Sequence, residues 1–279
     1  MALKNLMVVV DTSKPAAARI DAAAMLAARH DAHLTGLFVS APPALPSYVA
    51  GELGDSVIAL QQRMAQEIAD EAAGLFRQRV ELAGIGSRAE WRALRGDPTE
   101  VAGIVGRYAD LVILGQIDPD RNRDVPPVHP EDVLFDCGRP VLMVPYAGRF
   151  PTIGEQVLVG WNASREAARA VNDALPFLET AKKVSVLAVN PKTGINGLGD
   201  EPGADISLHL ARHGVPVTAD HVNARGMDPG DMILNYATDV SADLLVMGAY
   251  GRSRLRELVL GGVTRHIMQH MTIPVLFSH

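Results

Sequence analysis

A single cysteine, Cys137, in 279 residues leaves no partner for an internal disulfide, which fits a reducing compartment. Positive charge is not in excess: 26 Lys and Arg face 32 Asp and Glu, a formal net charge of -6. A general nucleic-acid binder or an anionic-membrane binder needs a basic surface, so neither partner is expected. No apolar run approaches the roughly 18 residues of a membrane span. The short run Leu6 to Val10 ends at Asp11 with no cleavage-like segment behind it, so a signal peptide is not expected and the cytoplasm is. Aromatic residues are scarce at 5%, which leaves a core of Ala, Val, Leu and Ile of the kind tightly packed parallel sheets use. What is present is ordinary for a folded chain, 48% hydrophobic and 21% charged, and the length suits two domains of about 150 residues or less.

The chain repeats itself. Leu6 to Val10 followed by Asp11-Thr-Ser13 matches Val157 to Trp161 followed by Asn162-Ala-Ser164. Each leads into an Ala-rich helical stretch, Pro15 to His30 and Arg165 to Thr180, with Ser13 and Ser164 as expected N-caps. Gly96-Asp97-Pro98 recurs as Met227-Asp228-Pro229, each opening a helix. Ala109-Asp110-Leu to Gly115 recurs as Ala242-Asp243-Leu to Gly248, and Pro140 to Val144 recurs as Pro274 to Phe277. The matching positions lie 151 residues apart at Asp11 and Asn162 but 133 apart at Asp110 and Asp243. The first copy therefore carries extra residues in its middle, a proline-rich loop (Pro42, Pro43, Pro46) and a long amphipathic pattern from Val57 to Leu82. The second copy has a Gly-rich stretch from Thr193 to Gly203 and a shorter helix from Ala204 to His213. Residues Ala147 to Gln156 read as the linker. Short apolar runs alternating with helices predict, in each copy, a parallel doubly wound sheet with right-handed crossovers. Ligands of such sheets sit beyond the carboxyl ends of the strands.

One strand end is distinctive. Val246-Met247-Gly248-Ala-Tyr-Gly251 is followed, after nine residues, by Gly261-Gly262-Val263-Thr264 and a last helix from Arg265 to Met271. Gly248 and Gly251 are expected to turn the backbone with positive φ and to admit a ligand. Gly261 and Gly262 leave free N–H groups at a helix start, where donors and dipole favour an anion, and Thr264 adds a hydroxyl. Arg252, Arg254, Arg256 and Arg265 surround the loop, each readable singly as a solvated helix face and together as suited to phosphate.

This run closely resembles the ATP-binding signature of the universal stress protein family, G-x2-G-x9-G-[S/T], and the resemblance extends over the chain as a tandem pair, at 1–147 and 153–279. It implies two tandem Rossmann-like domains of the α/β class, each a five-stranded doubly wound parallel sheet, made under stress. Some family members bind ATP or AMP and others bind no nucleotide. Carried over residue by residue, the resemblance places Trp161, Asn162 and Val189 against adenine and ribose. It places Met247, Gly248, Gly251, Gly261, Gly262, Val263 and Thr264 around ribose and phosphates, with ATP or AMP as ligand and magnesium as a companion. Two positions depart from the pattern. Gly262 stands where Ser or Thr is usual, a loss of one neutral hydrogen bond worth roughly 0.5 to 1.5 kcal/mol, about tenfold in affinity at most. Asn162 replaces an aspartate that the first copy keeps as Asp11.

In the first copy the equivalent run is Gly115-Gln116-Ile117-Asp118, and Asp118 and Asp120 would repel phosphate. Pro119, Pro126, Pro127 and Pro130 stiffen a loop that never returns to Gly-Gly. No nucleotide is expected there, and the first domain is expected to pair with the second through Pro140 to Val144 and Pro274 to Phe277, as a pseudo-dimer or within a homodimer. The output is expected to be regulatory rather than catalytic. One alternative is a slow ATP hydrolase, for which the loop offers only Glu257. Another is a nucleotide-free interaction or chaperone-like module. Two histidine pairs, His266/His270 and His209/His213, have spacing four, but no third ligand and no H-E-x-x-H accompany them, so no metal is expected. Asp11 and Ser13 are read as structural, and Cys137 lacks any motif of a reactive thiol.

Overall fold

The computed structural model describes residues 2–41, 55–120, 127–191, 201–251 and 262–279. The first repeat runs β1 (Asn5–Val9), α1 (Ala16–Arg29), β2 (His33–Ser40), α2 (Asp55–Leu82), β3 (Ala89–Arg95), α3 (Pro98–Gly106), β4 (Leu111–Gly115), α4 (Pro130–Cys137) and β5 (Val141–Val144). The second runs β6 (Gln156–Gly160), α5 (Arg165–Leu178), β7 (Lys183–Val189), α6 (Ala204–Arg212), β8 (Val217–Val222), α7 (Pro229–Asp239), β9 (Leu244–Gly248), α8 (Gly262–His270) and β10 (Val275–Ser278).

All ten strands form one sheet in the order β3-β2-β1-β4-β5-β10-β9-β6-β7-β8. Every neighbouring pair is parallel except β5 with β10, which run antiparallel with Leu142 opposite Leu276. Each half is thus a five-stranded parallel sheet, and the halves meet through the last strands. The central strands are buried on both faces, which their unbroken apolar runs require. The outermost strands, Ala-Glu-Trp-Arg-Ala-Leu-Arg and Val-Thr-Ala-Asp-His-Val, are instead broken by charge, which suits an edge that must not recruit further strands.

Helices cover both faces. One core gathers residues of α1, α2, α5 and α6, among them Ile20, Phe76, Phe177 and Leu210. The other gathers those of α3, α4, α7 and α8, among them Ala102, Leu134, Ile233 and Ile267. The long pattern ending at Leu82 is α2, seated through Ala69, Ala72, Phe76 and Val80. Phe76 lies so close over Gly36 of β2 that a Cβ there would be 2.7 Å from its ring. The Pro-rich loop from Pro42 lies outside the described residues, as does the stretch from Lys192 to Asp200.

Several repeated motifs prove to be structural. Asp97 and Asp228 cap α3 and α7 with a proline at the first helical position, as N-terminal turns favour. The Ala-Asp-Leu motif ties strands together: Asp110 accepts from the N–H groups of Lys4 and Asn5, and Asp243 accepts from those of Gly154, Glu155 and Gln156. Ser164 caps α5 as expected, accepting from the Ala167 N–H at 3.1 Å. Ser13 does not cap α1. The helix starts at Ala16, so Pro15, which has no side-chain acceptor, occupies the cap position, and the hydroxyl of Ser13, two residues earlier, donates to Asp11 instead.

Candidate functional site

The strand order reverses between β6 and β9, so the crevice beyond their carboxyl ends is where a doubly wound sheet takes a ligand. The register sets Gly160 opposite Met247 on one side and Leu187 on the other. Trp161, Asn162, Val189, Met247 and Gly248 therefore stand at adjacent strand ends, and the Trp161 N–H donates to the Leu187 carbonyl at 2.8 Å. Val189, Met247, Val263 and Tyr250 pack against one core, whereas the ring of Trp161 packs against the core of the other face. Asn162 closes a turn, its Oδ1 accepting from the Ser164 N–H at 3.0 Å. Gly261, Arg252, Arg254, Arg256 and Glu257 lie outside the described residues.

The glycines act differently from the expectation. Neither Gly248 nor Gly251 has positive φ; among the described residues of the loop the left-handed one is Tyr250, at φ 56°. Gly248 is required by crowding, since a Cβ there would collide with the backbone of Glu166 and Ala167 at the start of α5. Gly251 lies beside the same turn, a Cβ at that position falling 3.0 Å from Glu166 Oε2 and 3.5 Å from Ser164 Oγ. The last helix begins three residues earlier than expected, at Gly262, which is exposed and has open space where a Cβ would go. Thr264 is buried, and its Oγ1 accepts from the Tyr250 N–H at 3.4 Å, so it holds the loop to the helix.

The first repeat handles the same place in another way. Asp11, at the end of β1, accepts from the Ser13 N–H at 2.9 Å and from Arg19 Nη2 at 2.8 Å. Arg19 is 5% exposed, and its guanidinium lies where a Cβ on Gly115 would collide with it. Burial pushes the Asp11 carboxyl up, but the charge of Arg19 and the bonds from Ser13 and Arg19 outweigh it and hold the group below its ordinary value. At the matching positions of the second repeat, 151 residues on, stand Asn162 and Ala170. The ion pair that crosses the strand ends of the first repeat thus has no counterpart at the matching positions of the second, where both charges are lost.

Three further residues carry weight that the sequence reading did not assign. Gln116, 5% exposed, donates from Nε2 to the carbonyls of Met268 and Gln269 at 3.1 and 3.0 Å and accepts from the Tyr146 N–H at 3.2 Å, fastening the repeats together. Tyr250 reaches the other way, to Phe135 of α4. Glu166, 4% exposed, brings a carboxylate to the glycine loop. Aligning the repeats column by column exposes one of them, Glu166 against Pro15, and also sets Arg19 against Ala170.

His266 and His270 have protein partners, His266 Nε2 lying 2.8 Å from Asp231 Oδ1 and His270 Nδ1 2.9 Å from the His266 carbonyl, and the rings of His209 and His213 meet each other at 4.9 Å. No group of three or more metal-ligating side chains is found among the described residues, and no described helix is long and apolar enough to cross a membrane. Cys137 is buried, and burial pushes its thiol up, away from the thiolate that reactivity needs.

The molecule is thus a tandem of Rossmann-like α/β repeats joined in one sheet. The sequence profile of the Universal stress protein family matches residues 2–145 and again 155–279, and the chain belongs to that family. Over 46 residues it is 46% identical to a universal stress protein of Synechocystis, 16% of each chain, and over 60 residues it is 40% identical to one of Bacillus subtilis, 22% of this chain and 40% of that one. Those segments span well under two thirds of the relatives. A universal stress protein of Archaeoglobus fulgidus shares the fold over 98% of this chain and 95% of its own, with a TM-score of 0.74 at 20% identity.

Proposed function

We propose that the protein binds one adenine nucleotide, ATP or AMP, at the strand ends of the second repeat and acts as a regulatory rather than a catalytic component of a stress response. The observation that carries this reading is the contrast between the repeats. In the first, the buried Arg19 crosses the cleft to pair with the half-exposed Asp11. In the second, Ala170 and Asn162 replace both partners, and Gly262 leaves open space at the start of α8. The N–H groups at the start of α8 offer donors to a phosphate, and Asn162 offers an amide to a ribose hydroxyl.

The test is chemical. Purified protein is denatured and its released small molecules are analysed, and the stripped protein is titrated with ATP and AMP by calorimetry. Released adenine nucleotide, or saturable binding below millimolar ligand that Gly251→Asp abolishes, is the expected result. No released nucleotide together with no binding at millimolar concentration overturns the reading and favours a nucleotide-free interaction module.

A further inference from the structure

α2 is 28 residues long where its counterpart in the second repeat, α6, has 9. Among the described residues its buried side chains begin at Ala69 and continue through Ala72, Ala73, Phe76 and Val80, so its second half seats the helix on the sheet. The described side chains from Leu60 to Ile68 are exposed, apart from the half-buried Ala65. Three of them are large and apolar: Leu60, Met64 and Ile68 are 56%, 54% and 41% exposed. A spacing of four sets them in one stripe, and at about 100° per residue that stripe lies roughly 120° around the helix from the seated face, too far round to reach the core of its own chain. One turn further on, the exposed Glu71 ends the stripe with a charge. Single exposed apolar residues are ordinary, whereas three in one helical stripe form a surface that another helix can cover.

The charges beside the stripe select the occupant. Arg63 and Glu67, both exposed, stand four apart along one flank, and neither makes an ion pair among the described residues; the ion pair that α2 does make, Arg79 with Asp21, lies at its other end. In two antiparallel copies related by a two-fold axis, the same flank of each helix faces the other. When the stripes interdigitate, so that Met64 lies between Met64 and Ile68 of the second copy, Arg63 comes level with the second copy's Glu67 and Glu67 with its Arg63. Both rim charges are then paired. A parallel copy would set this flank against the one that Ala65 occupies and lose both pairs. Antiparallel pairing also sends the two seated halves to opposite ends of the helix pair.

We propose that the exposed stripe of α2 is a homodimer interface, at which α2 packs antiparallel against α2 of a second copy through Leu60, Met64 and Ile68, with Arg63 and Glu67 paired across the rim. The repeats already close their last strands on each other within one chain, so this dimer joins two tandems through a helix extension that the second repeat lacks. Three apolar side chains from each copy fall well short of the roughly 800 Å² per partner of a standard stable interface, so the dimer is reversible and forms at high protein concentration.

The test is sedimentation velocity of the full chain from about 1 µM to about 1 mM, for wild type and four variants. Wild type is expected to pass from monomer to dimer across that range. Met64→Asp sets two carboxylates at the centre of the interface and is expected to weaken the dimer at least about tenfold. Arg63→Glu and Glu67→Arg each turn two attractions into repulsions and are expected to weaken it about three- to tenfold, whereas the double variant Arg63→Glu/Glu67→Arg restores wild-type association. All four positions of change are on exposed side chains, and circular dichroism of each variant checks that the helix is kept. Rescue by the double variant cannot come from a misfolded chain. A monomer throughout the range, a dimer indifferent to Met64→Asp, or a double variant no better than the single reversals overturns the proposal.

Discussion

Tyr250, in the glycine loop of the second repeat, sets its ring 4.9 Å from that of Phe135 in α4 of the first. The same tyrosine holds its backbone in the left-handed region and donates its N–H to Thr264 at the start of the last helix. One side chain thereby joins the loop, its helix and the neighbouring repeat. Phe135→Ala removes a half-buried ring outside the cleft, and about 1–3 kcal/mol of stability is expected to go with it. Because the loop loses its anchor, nucleotide affinity is expected to fall severalfold as well. Urea denaturation and calorimetry on the same variant check both; a destabilised protein that binds as tightly as wild type would refute the link.

Gly262→Ser restores the hydroxyl that the signature carries. The position is exposed, lacks positive φ and has nothing within 4 Å of an added Cβ, so the fold should accept it with a change within about 0.5 kcal/mol. One added hydrogen bond predicts a gain of up to about tenfold in nucleotide affinity. A Ser variant that folds normally and binds no better would show that no phosphate reaches this turn.

Asp11→Asn leaves Arg19 buried beside a neutral partner. Asp11 is 43% exposed, so solvent screening discounts the pair, and a loss of about 1–2 kcal/mol is expected. The carboxyl is held below its unfolded value, so its contribution is complete above the unfolded pKa of about 3.9 and disappears as pH falls through the folded value. The stability difference between wild type and Asp11→Asn should therefore be constant from about pH 5 to 7 and shrink below about pH 4. A difference that grows on acidification would contradict this assignment.

His30 meets Phe177 of the other repeat edge-on at 5.5 Å, while the adjacent Arg29 donates to Ile153 and Thr180. Burial first, then the charges of Arg29 and Lys4, push the imidazole down. The folded state thus prefers neutral His30, and the stability it contributes is present above the unfolded pKa of about 6.5 and lost as pH falls below it. Stability measured by urea between pH 7 and 5.5 should decline less steeply in His30→Gln than in wild type. Equal slopes would show that the ring titrates freely.

Much of the fold was legible in the sequence because parallel strands buried on both faces are continuous apolar runs, and Leu6 to Val9, Val157 to Val159 and Leu244 to Met247 are such runs. Asp97-Pro98 and Asp228-Pro229 marked helix starts for a local reason, side-chain capping, and local reasons survive folding. The junction at Pro140 and Pro274 was also readable. The glycines were harder: Gly248 answers to the backbone of α5, 82 residues earlier than itself, and only three-dimensional packing reveals that debt. Ser13 failed as a cap because the helix starts at Ala16, with Pro15 at the cap position. The Arg19–Asp11 pair, the Gln116 bridge and the approach of Glu166 to Gly251 all join residues whose proximity the strand order creates. Only the differences between the repeats, Asp11 and Arg19 against Asn162 and Ala170 and Pro15 against Glu166, left a trace in the sequence.

The central claim is one nucleotide site per chain, in the second repeat. Calorimetric titration of the stripped protein with AMP measures it directly, with Gly251→Asp and Asp11→Asn as paired variants. The account predicts a stoichiometry near one, abolished by Gly251→Asp, which sets a second carboxylate against Glu166, and retained in Asp11→Asn. A stoichiometry near two, or binding that survives Gly251→Asp and is lost in Asp11→Asn, would contradict it.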